Sequence, residues 1–372
     1  MKKIYSKIVL LTSLLVISAC QNSQPSQKKS DEQESASLPL SSEESLNSQN
    51  SFSSSNNKSS SKSSSKSSNY SSSSQSSSNL DIKDNELSLD NGLIIKFKNT
   101  GASIDKITFK NKQIAKDGFV VGRCANRIAN GKFSIDNNSY SVSINSSPHS
   151  LHGGAGTGMN SWCGPFATKD WTKVEQTKSS IKYTIHSADG ENGYPGNMDM
   201  TVTYTLSENG ELSIEYRATT DQATLCNPTN HLFMSPNGNT SYNDIKLWID
   251  ADSYTPLNNQ IPTGEIKTVE GTQFDFRNEK TFDSSKSYDD NLVLNGTGYR
   301  KVATMKGTSL GVKIDVFTDR PGLQLYKYNS GSICLETQMF PDAINHDNFE
   351  SPILRPNQEF YSKTSYVFSE ID

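Results

Sequence analysis

From about residue 93 to the C-terminus the chain is a succession of short segments in which apolar and polar residues alternate, and no long stretch carries a 3.6-residue apolar repeat. Ile181-Lys182-Tyr183-Thr184-Ile185-His186, Met200-Thr201-Val202-Thr203-Tyr204-Thr205-Leu206 and Leu212-Ser213-Ile214-Glu215-Tyr216-Arg217 place every second side chain on one face, and Asn209-Gly210 between the last two is a tight-turn signal. Leu93–Phe97, Ala102–Phe109, Ile245–Ile249, Val312–Phe317, Leu323–Tyr326 and Tyr366–Phe368 read as further strands. Gly131–Ile135 and Tyr140–Ile144 read as a hairpin around a polar turn at Asp136–Ser139. Such a chain folds as an antiparallel, all-β domain, a large sandwich.

The N-terminal part is different. Lys2, Lys3 and Lys7 precede a short apolar run, Ile8 to Ile17, too short to span a bilayer comfortably, and Ile17-Ser18-Ala19-Cys20 ends it. This resembles the lipobox of bacterial lipoproteins. The expectation is a signal segment over residues 1–20 and lipidation of Cys20, with the protein outside the cell and held to the membrane by its lipid alone. Residues 21–79 are nearly half Ser and carry too little apolar surface to offset chain entropy, so they read as a flexible tether. Residues 80–372 read as one domain. The net charge of −4, without a basic cluster beyond the tether, speaks against nucleic-acid binding.

Few residues in the domain carry chemistry. Glu336 follows the apolar run Cys334-Leu335 and precedes a Pro-bounded turn, which suggests the end of a buried strand, where desolvation raises a carboxylate toward the range of a working base. His231 closes the polar cluster Asn227-Pro228-Thr229-Asn230-His231 at the expected end of a strand, where Asn and Thr could orient its imidazole. His152 stands before Gly153-Gly154, a pair that permits a sharp bend or a close approach. His149, His186 and His346 read as structural. Arg127, beside Asn126, offers a rigid fork of donors for hydroxyls or a carboxylate. Asp289 either accepts from hydroxyls or caps a turn in the polar Ser287–Asn291 stretch. Cys124, Cys163, Cys226 and Cys334 fit no zinc spacing and could be disulfide-paired or free and buried.

In order along the chain, the segments Gly122–Phe133, Ser150–Gly154, Asn192–Gly196, Asn227–His231, Ile261–Glu265, Phe274–Arg277 and Leu335–Ala343 resemble the motifs of the aldose 1-epimerase family. The resemblance covers about residues 85–370. It implies a β-supersandwich and a reaction without metal or cofactor, in which a free monosaccharide of galactose or glucose type exchanges its α and β anomers. It also implies Glu336 as base, His231 as acid, and Arg127, His152 and Asp289 as substrate-holding residues, with Asn126 beside Arg127. On that scheme His231 is charged and both catalytic pKa values lie near neutrality. Departures are Asp290 where the family usually has His, Leu292 for an aromatic residue, Pro228 for Leu, and short segments between Phe109 and Gly122 and between Tyr326 and Cys334. A non-catalytic carbohydrate-binding surface lipoprotein is the alternative.

Overall fold

A computed structural model describes residues 82–238, 241–328 and 331–371, all within one compact unit, residues 81–372. The expected signal segment with Cys20 and the Ser-rich stretch lie outside the described residues. Among the described residues, no helix is long and apolar enough to cross a membrane.

Two antiparallel sheets dominate. One has nine strands and is centred on Met198–Leu206, Glu211–Thr220 and Phe360–Glu370. The other has ten, with Lys112–Val121, Thr229–Met234, Ser332–Gln338, Gly322–Tyr328 and Asp289–Val293 adjacent in that order. The main core lies between them. It is built from one face of each, Ile181, Val202 and Ile214 meeting Ile95, Ile104 and Leu335. The Tyr204 hydroxyl donates to the Ala102 carbonyl at 2.7 Å and the Tyr366 hydroxyl to the Leu335 carbonyl at 3.3 Å, so the buried phenols tie sheet to sheet.

The alternating segments form strands close to where the sequence puts them. The hairpin is tighter than expected. Its strands are Lys132–Ile135 and Asn138–Ser141, because Asp136 and Asn137 adopt φ of 49° and 68° and complete the turn in two residues. Cys124, Cys163, Cys226 and Cys334 are all free and buried.

Two strands break the alternation rule. Thr229–Met234 and Ser332–Gln338 are buried at every position. Leu335 enters the core between the sheets, and its neighbour Glu336 turns to the opposite face, which loops cover. Both faces are therefore dry, and polar side chains on these strands are desolvated by their position alone.

Candidate active site

His231 and Glu336 come together on those two strands. Neither stands at a strand end as expected; each lies inside its strand, flanked by ladder bonds that fix its direction. His231 Nε2 is 3.4 Å from Glu336 Oε1, and the side chains are 3% and 2% exposed. Cross-strand partners share a face, so the ladder sets the surroundings. Phe119 is the partner of His231, Gln324 that of Glu336, and Asn291 that of Gln324. One lateral row therefore runs Phe119, His231, Glu336, Gln324, Asn291. Asp289, two residues before Asn291, faces the same way.

Thr229 and Asn230 do not orient the imidazole. The Thr229 hydroxyl donates to the Thr337 carbonyl at 2.8 Å and the Asn230 amide to the Gly118 carbonyl at 3.0 Å, so both brace the strand. Rings hold His231 instead. Phe233 stacks on it at 4.7 Å between centroids, Phe119 lies at 5.3 Å, and Trp162 and Tyr326 meet it edge-on at 5.9 and 5.8 Å.

Arg127 and His152 arrive on a two-stranded ladder pairing Arg127–Ile128 with Ser150–Leu151. The Asn126 backbone and His152 hold each other. The His152 N–H donates to the Asn126 carbonyl at 2.9 Å, and the Asn126 N–H donates to His152 Nδ1 at 3.2 Å. Asn126 reaches the site through this backbone contact, since its side-chain oxygen accepts from the Arg127 N–H at 2.9 Å. The close approach allowed by Gly153 is to the first motif. At its φ of 89°, a Cβ would sit 2.0 Å from the Gly122 carbonyl oxygen. Arg123 of the same motif is a structural pillar, bonded to Ser187, Ala188, Pro195 and Thr224.

Asp289 begins a strand instead of capping a loop turn. It accepts from Gln324 Nε2 at 2.8 Å and lies 3.6 Å from Arg127 Nη1. All six residues singled out in the sequence thus converge, Asn126 through its backbone. Gln324, Asn291 and the ring cage around His231 were missed. Their signal is a polar or aromatic residue in register with His231 or Glu336, and register becomes visible only in the folded sheet. His149 and His346 are structural as expected: His149 accepts the Asn130 N–H at 3.1 Å, and His346 lies 3.6 Å from Asp342.

Burial decides the protonation states. Desolvation lifts Glu336 well above the usual carboxylate range; Asp289 adds to this and Arg127 opposes it. Desolvation lowers His231 from 6.5 to about 4. It also pushes His152 well below its ordinary value, helped by His231 and Arg127. Burial thus favours the neutral form of each partner, a protonated Glu336 and an uncharged His231. The expected charged imidazole is therefore disfavoured in the sugar-free site, because burial penalises the charged ring.

One ligating atom each from His152, His231 and Glu336 lies within 4.8 Å of the others, a donor set of the kind that binds zinc. The His152 bond to Asn126 bears on this. With Nδ1 accepting a backbone N–H, the neutral ring carries its hydrogen on Nε2 and presents a donor, where a metal needs a lone pair.

The aldose 1-epimerase family model matches residues 85–367. The chain belongs to the aldose 1-epimerase family. It is similar to human galactose mutarotase, 37% identical over 280 residues that cover 68% of this chain and 78% of the human one. It is also similar to Escherichia coli aldose 1-epimerase, 33% identical over 287 residues covering 69% and 81%. Among solved structures, the aldose epimerase homologue of C. elegans superposes with a TM-score of 0.71 at 26% identity, covering 77% of this chain and 98% of that one. The fold is accordingly that of the galactose mutarotases.

Proposed function

We propose that this member of the family interconverts the α and β anomers of a free aldose of galactose or glucose type, with Glu336 and His231 as the proton-transferring pair. The observation that carries the reading is the 3.4 Å meeting of two buried, titratable groups of opposite kind from strands remote in sequence. Other buried atoms support a polyhydroxylated ligand. Arg127 Nε, Asn291 Oδ1, Gln324 Oε1 and Glu336 Oε2 have no hydrogen-bond partner among the described residues, and sugar hydroxyls can both donate to and accept from such a set.

In the proposed mechanism, Glu336 accepts the proton of the C1 hydroxyl while His231 protonates the ring oxygen. The C1–O5 bond breaks and leaves an open-chain aldehyde. Rotation about C1–C2 presents the other carbonyl face, and closure returns both protons. Atoms balance without a cofactor, and the pair holds one proton before and after. In the sugar-free site burial favours that proton on Glu336. A bound sugar brings hydroxyl donors to the carboxylate and an ether oxygen to the imidazole, which favours its transfer to His231. His152 Nε2–H, Arg127 and Asp289 hold oxygens in place during the turn of C1.

The placement we propose, a lipid on Cys20 holding the enzyme outside the cell, rests on the lipobox-like Ile17–Cys20 alone. Metabolic labelling with a fatty acid, lost in Cys20→Ala, tests it.

The activity is tested by polarimetry of freshly dissolved α-galactose and α-glucose with the full chain beside its Glu336→Gln variant. Acceleration over buffer by the wild type alone is expected. If neither protein accelerates any simple aldose, the non-catalytic carbohydrate-binding reading replaces this one.

A further inference from the structure

His231 and Glu336 stand on neighbouring strands that the backbone barely joins. Ser332–Gln338 pairs with Gly322–Tyr328 along its whole length. On its other edge it pairs with Thr229–Met234 at Ile333 and Met234 alone, among the described residues. Continued from that pair, the antiparallel register sets His231 opposite Glu336, so the two groups meet where the ladder has already ended. The His231 strand is irregular on its far edge too. Its register with Lys112–Val121 shifts between His231 and Phe233, and a bulge of this kind bends a strand and re-aims a side chain. The ten-stranded sheet is thus two laddered blocks that meet at the His231–Glu336 pair.

Side chains take over where the ladder stops. The Thr229 hydroxyl donates to the carbonyl of Thr337, the residue after Glu336, at 2.8 Å. Asn227, just before the His231 strand, accepts on Oδ1 the N–H of Met339, just past the Glu336 strand, at 2.9 Å. Both bridges are buried. The same Asn227 oxygen accepts from Arg320 Nη2 at 2.6 Å, a charge-assisted bond that fixes the amide. The Asn227 main chain donates to the Arg123 carbonyl at 2.8 Å and accepts the Ala125 N–H at 2.7 Å, which ties in the segment leading to Arg127. We propose that Thr229 and Asn227 are positioning residues for the reaction, a side-chain splice that stands in for the missing ladder and sets the separation of His231 from Glu336. The inference rests on the reading of that pair as the proton-transferring groups and identifies what holds them in register. Proton transfer to two oxygens of one acetal carbon depends on sub-ångström placement, so loosening the splice acts on turnover more than on binding. Bonds that only stabilised the fold would lower the melting temperature and leave the turnover of the folded enzyme alone.

The test measures kcat and KM for α-galactose by polarimetry of the full chain, wild type beside Thr229→Val, Thr229→Ser, Asn227→Ala and Tyr366→Phe, together with crystal structures of wild type and Thr229→Val. Valine keeps the shape of Thr229 and loses the donor; serine keeps the donor. The expected result for Thr229→Val is a kcat reduced at least about tenfold at a KM within about twofold of wild type, restored in Thr229→Ser. Asn227→Ala, which takes the acceptor from both Met339 and Arg320, should lose more where it folds. Tyr366→Phe is the control. It removes a buried hydroxyl bonded to the Leu335 carbonyl, next to Glu336, that ties sheet to sheet and not these two strands, and its kcat should equal that of wild type. In the Thr229→Val structure the His231–Glu336 separation should exceed 3.4 Å by about 0.5 Å or more. A wild-type kcat in folded Thr229→Val overturns the proposal, as does a loss that serine does not restore or that Tyr366→Phe matches. If wild type accelerates no sugar, the epimerase reading fails, and the two structures decide the splice by themselves: a lengthened separation sustains it, and an unchanged one overturns it.

Discussion

The two large sheets are made from similar strands and obey different rules. In the nine-stranded sheet, Met198–Leu206 alternates buried methionine, valine, tyrosine and leucine with partly exposed Thr and Asp. In the ten-stranded sheet, Thr229–Met234 and Ser332–Gln338 are buried throughout and carry Thr, Asn, His, Glu and Gln. The first pattern is what stability selects, one apolar face turned to a core. The second carries an energetic cost, since burying a carboxylate and an imidazole without full hydrogen bonding destabilises the fold. The contrast separates scaffold from candidate machinery: one sheet holds the molecule together, and the other gives up part of that stability to a desolvated pair proposed to transfer protons.

The strongest test of this division is Glu336→Gln. The amide keeps the shape and cannot take a proton, so kcat should fall by about 10³-fold or more, within the range lost with a general base. The melting temperature should hold or rise, since a buried titratable group is removed. A large drop in melting temperature with the loss of activity would erase the distinction between the sheets.

The mirror experiment lies across the core. Ile214 is fully buried on the nine-stranded sheet. Ile214→Ala should lose about 2–5 kcal/mol of unfolding free energy in urea, from lost burial and the cavity left behind. Below its melting temperature, the folded variant should turn over sugar at the wild-type rate. A specific activity tenfold down at full folding would show that the scaffold sheet also sets the geometry of the site.

This pair of experiments also marks what could be read in advance. Alternation identified Met200–Leu206 and Leu212–Arg217 as strands because each has one wet face and one dry face, and period two is the imprint of that difference. The strands of His231 and Glu336 have two dry faces and leave no such imprint. Their candidacy came from motif resemblance, and their place inside the strands was not legible. The Asn227–His231 cluster suggested side chains orienting an imidazole; in the fold, Thr229 and Asn230 bond to carbonyls of adjacent strands while rings from three other segments hold the histidine. The effect of burial on the pair was not legible either: a carboxylate beside a histidine suggests a charged pair, and only the depth of burial in the fold shows that both groups are desolvated toward their neutral forms.

That depth should appear in the pH dependence of stability. His231 titrates near 6.5 when unfolded and at about 4 in the fold. Between these values the unfolded chain binds a proton that the folded chain refuses. The stability contributed by neutral His231 is therefore present above 6.5 and lost as pH falls toward 4, by about 2 kcal/mol at pH 5. Glu336, raised in the fold, works in the opposite sense, keeping a proton that the unfolded chain releases above 4.5. Comparing wild type with His231→Asn isolates the first effect. Between pH 7.5 and 5 the variant should lose about 2 kcal/mol less in urea unfolding. Equal losses would mean that His231 takes up a proton as readily in the fold as outside it, and that the site is wetter than its geometry implies.

The smallest expected effect belongs to Gln324, which sits between the two rules. It is 3% exposed, the ladder partner of Glu336, and its amide donates to Asp289. Asp289 is proposed to hold a sugar hydroxyl, so Gln324 acts through it as a positioning residue. Gln324→Leu keeps the bulk, removes the bond and leaves Asp289 its ion pair with Arg127. A hydrogen bond to a carboxylate of this kind contributes roughly 1.5–3 kcal/mol, part of which the sugar recovers by ordering Asp289 itself. The expected outcome is a KM raised about tenfold with kcat nearly unchanged, and Gln324→Asn, with a shorter amide, should fall between the two. A fall in kcat at constant KM would place Gln324 in the chemical step, tuning the Glu336 carboxylate across the ladder. The row of buried polar residues would then be a single catalytic unit, with no boundary between the groups that bind and the groups that react.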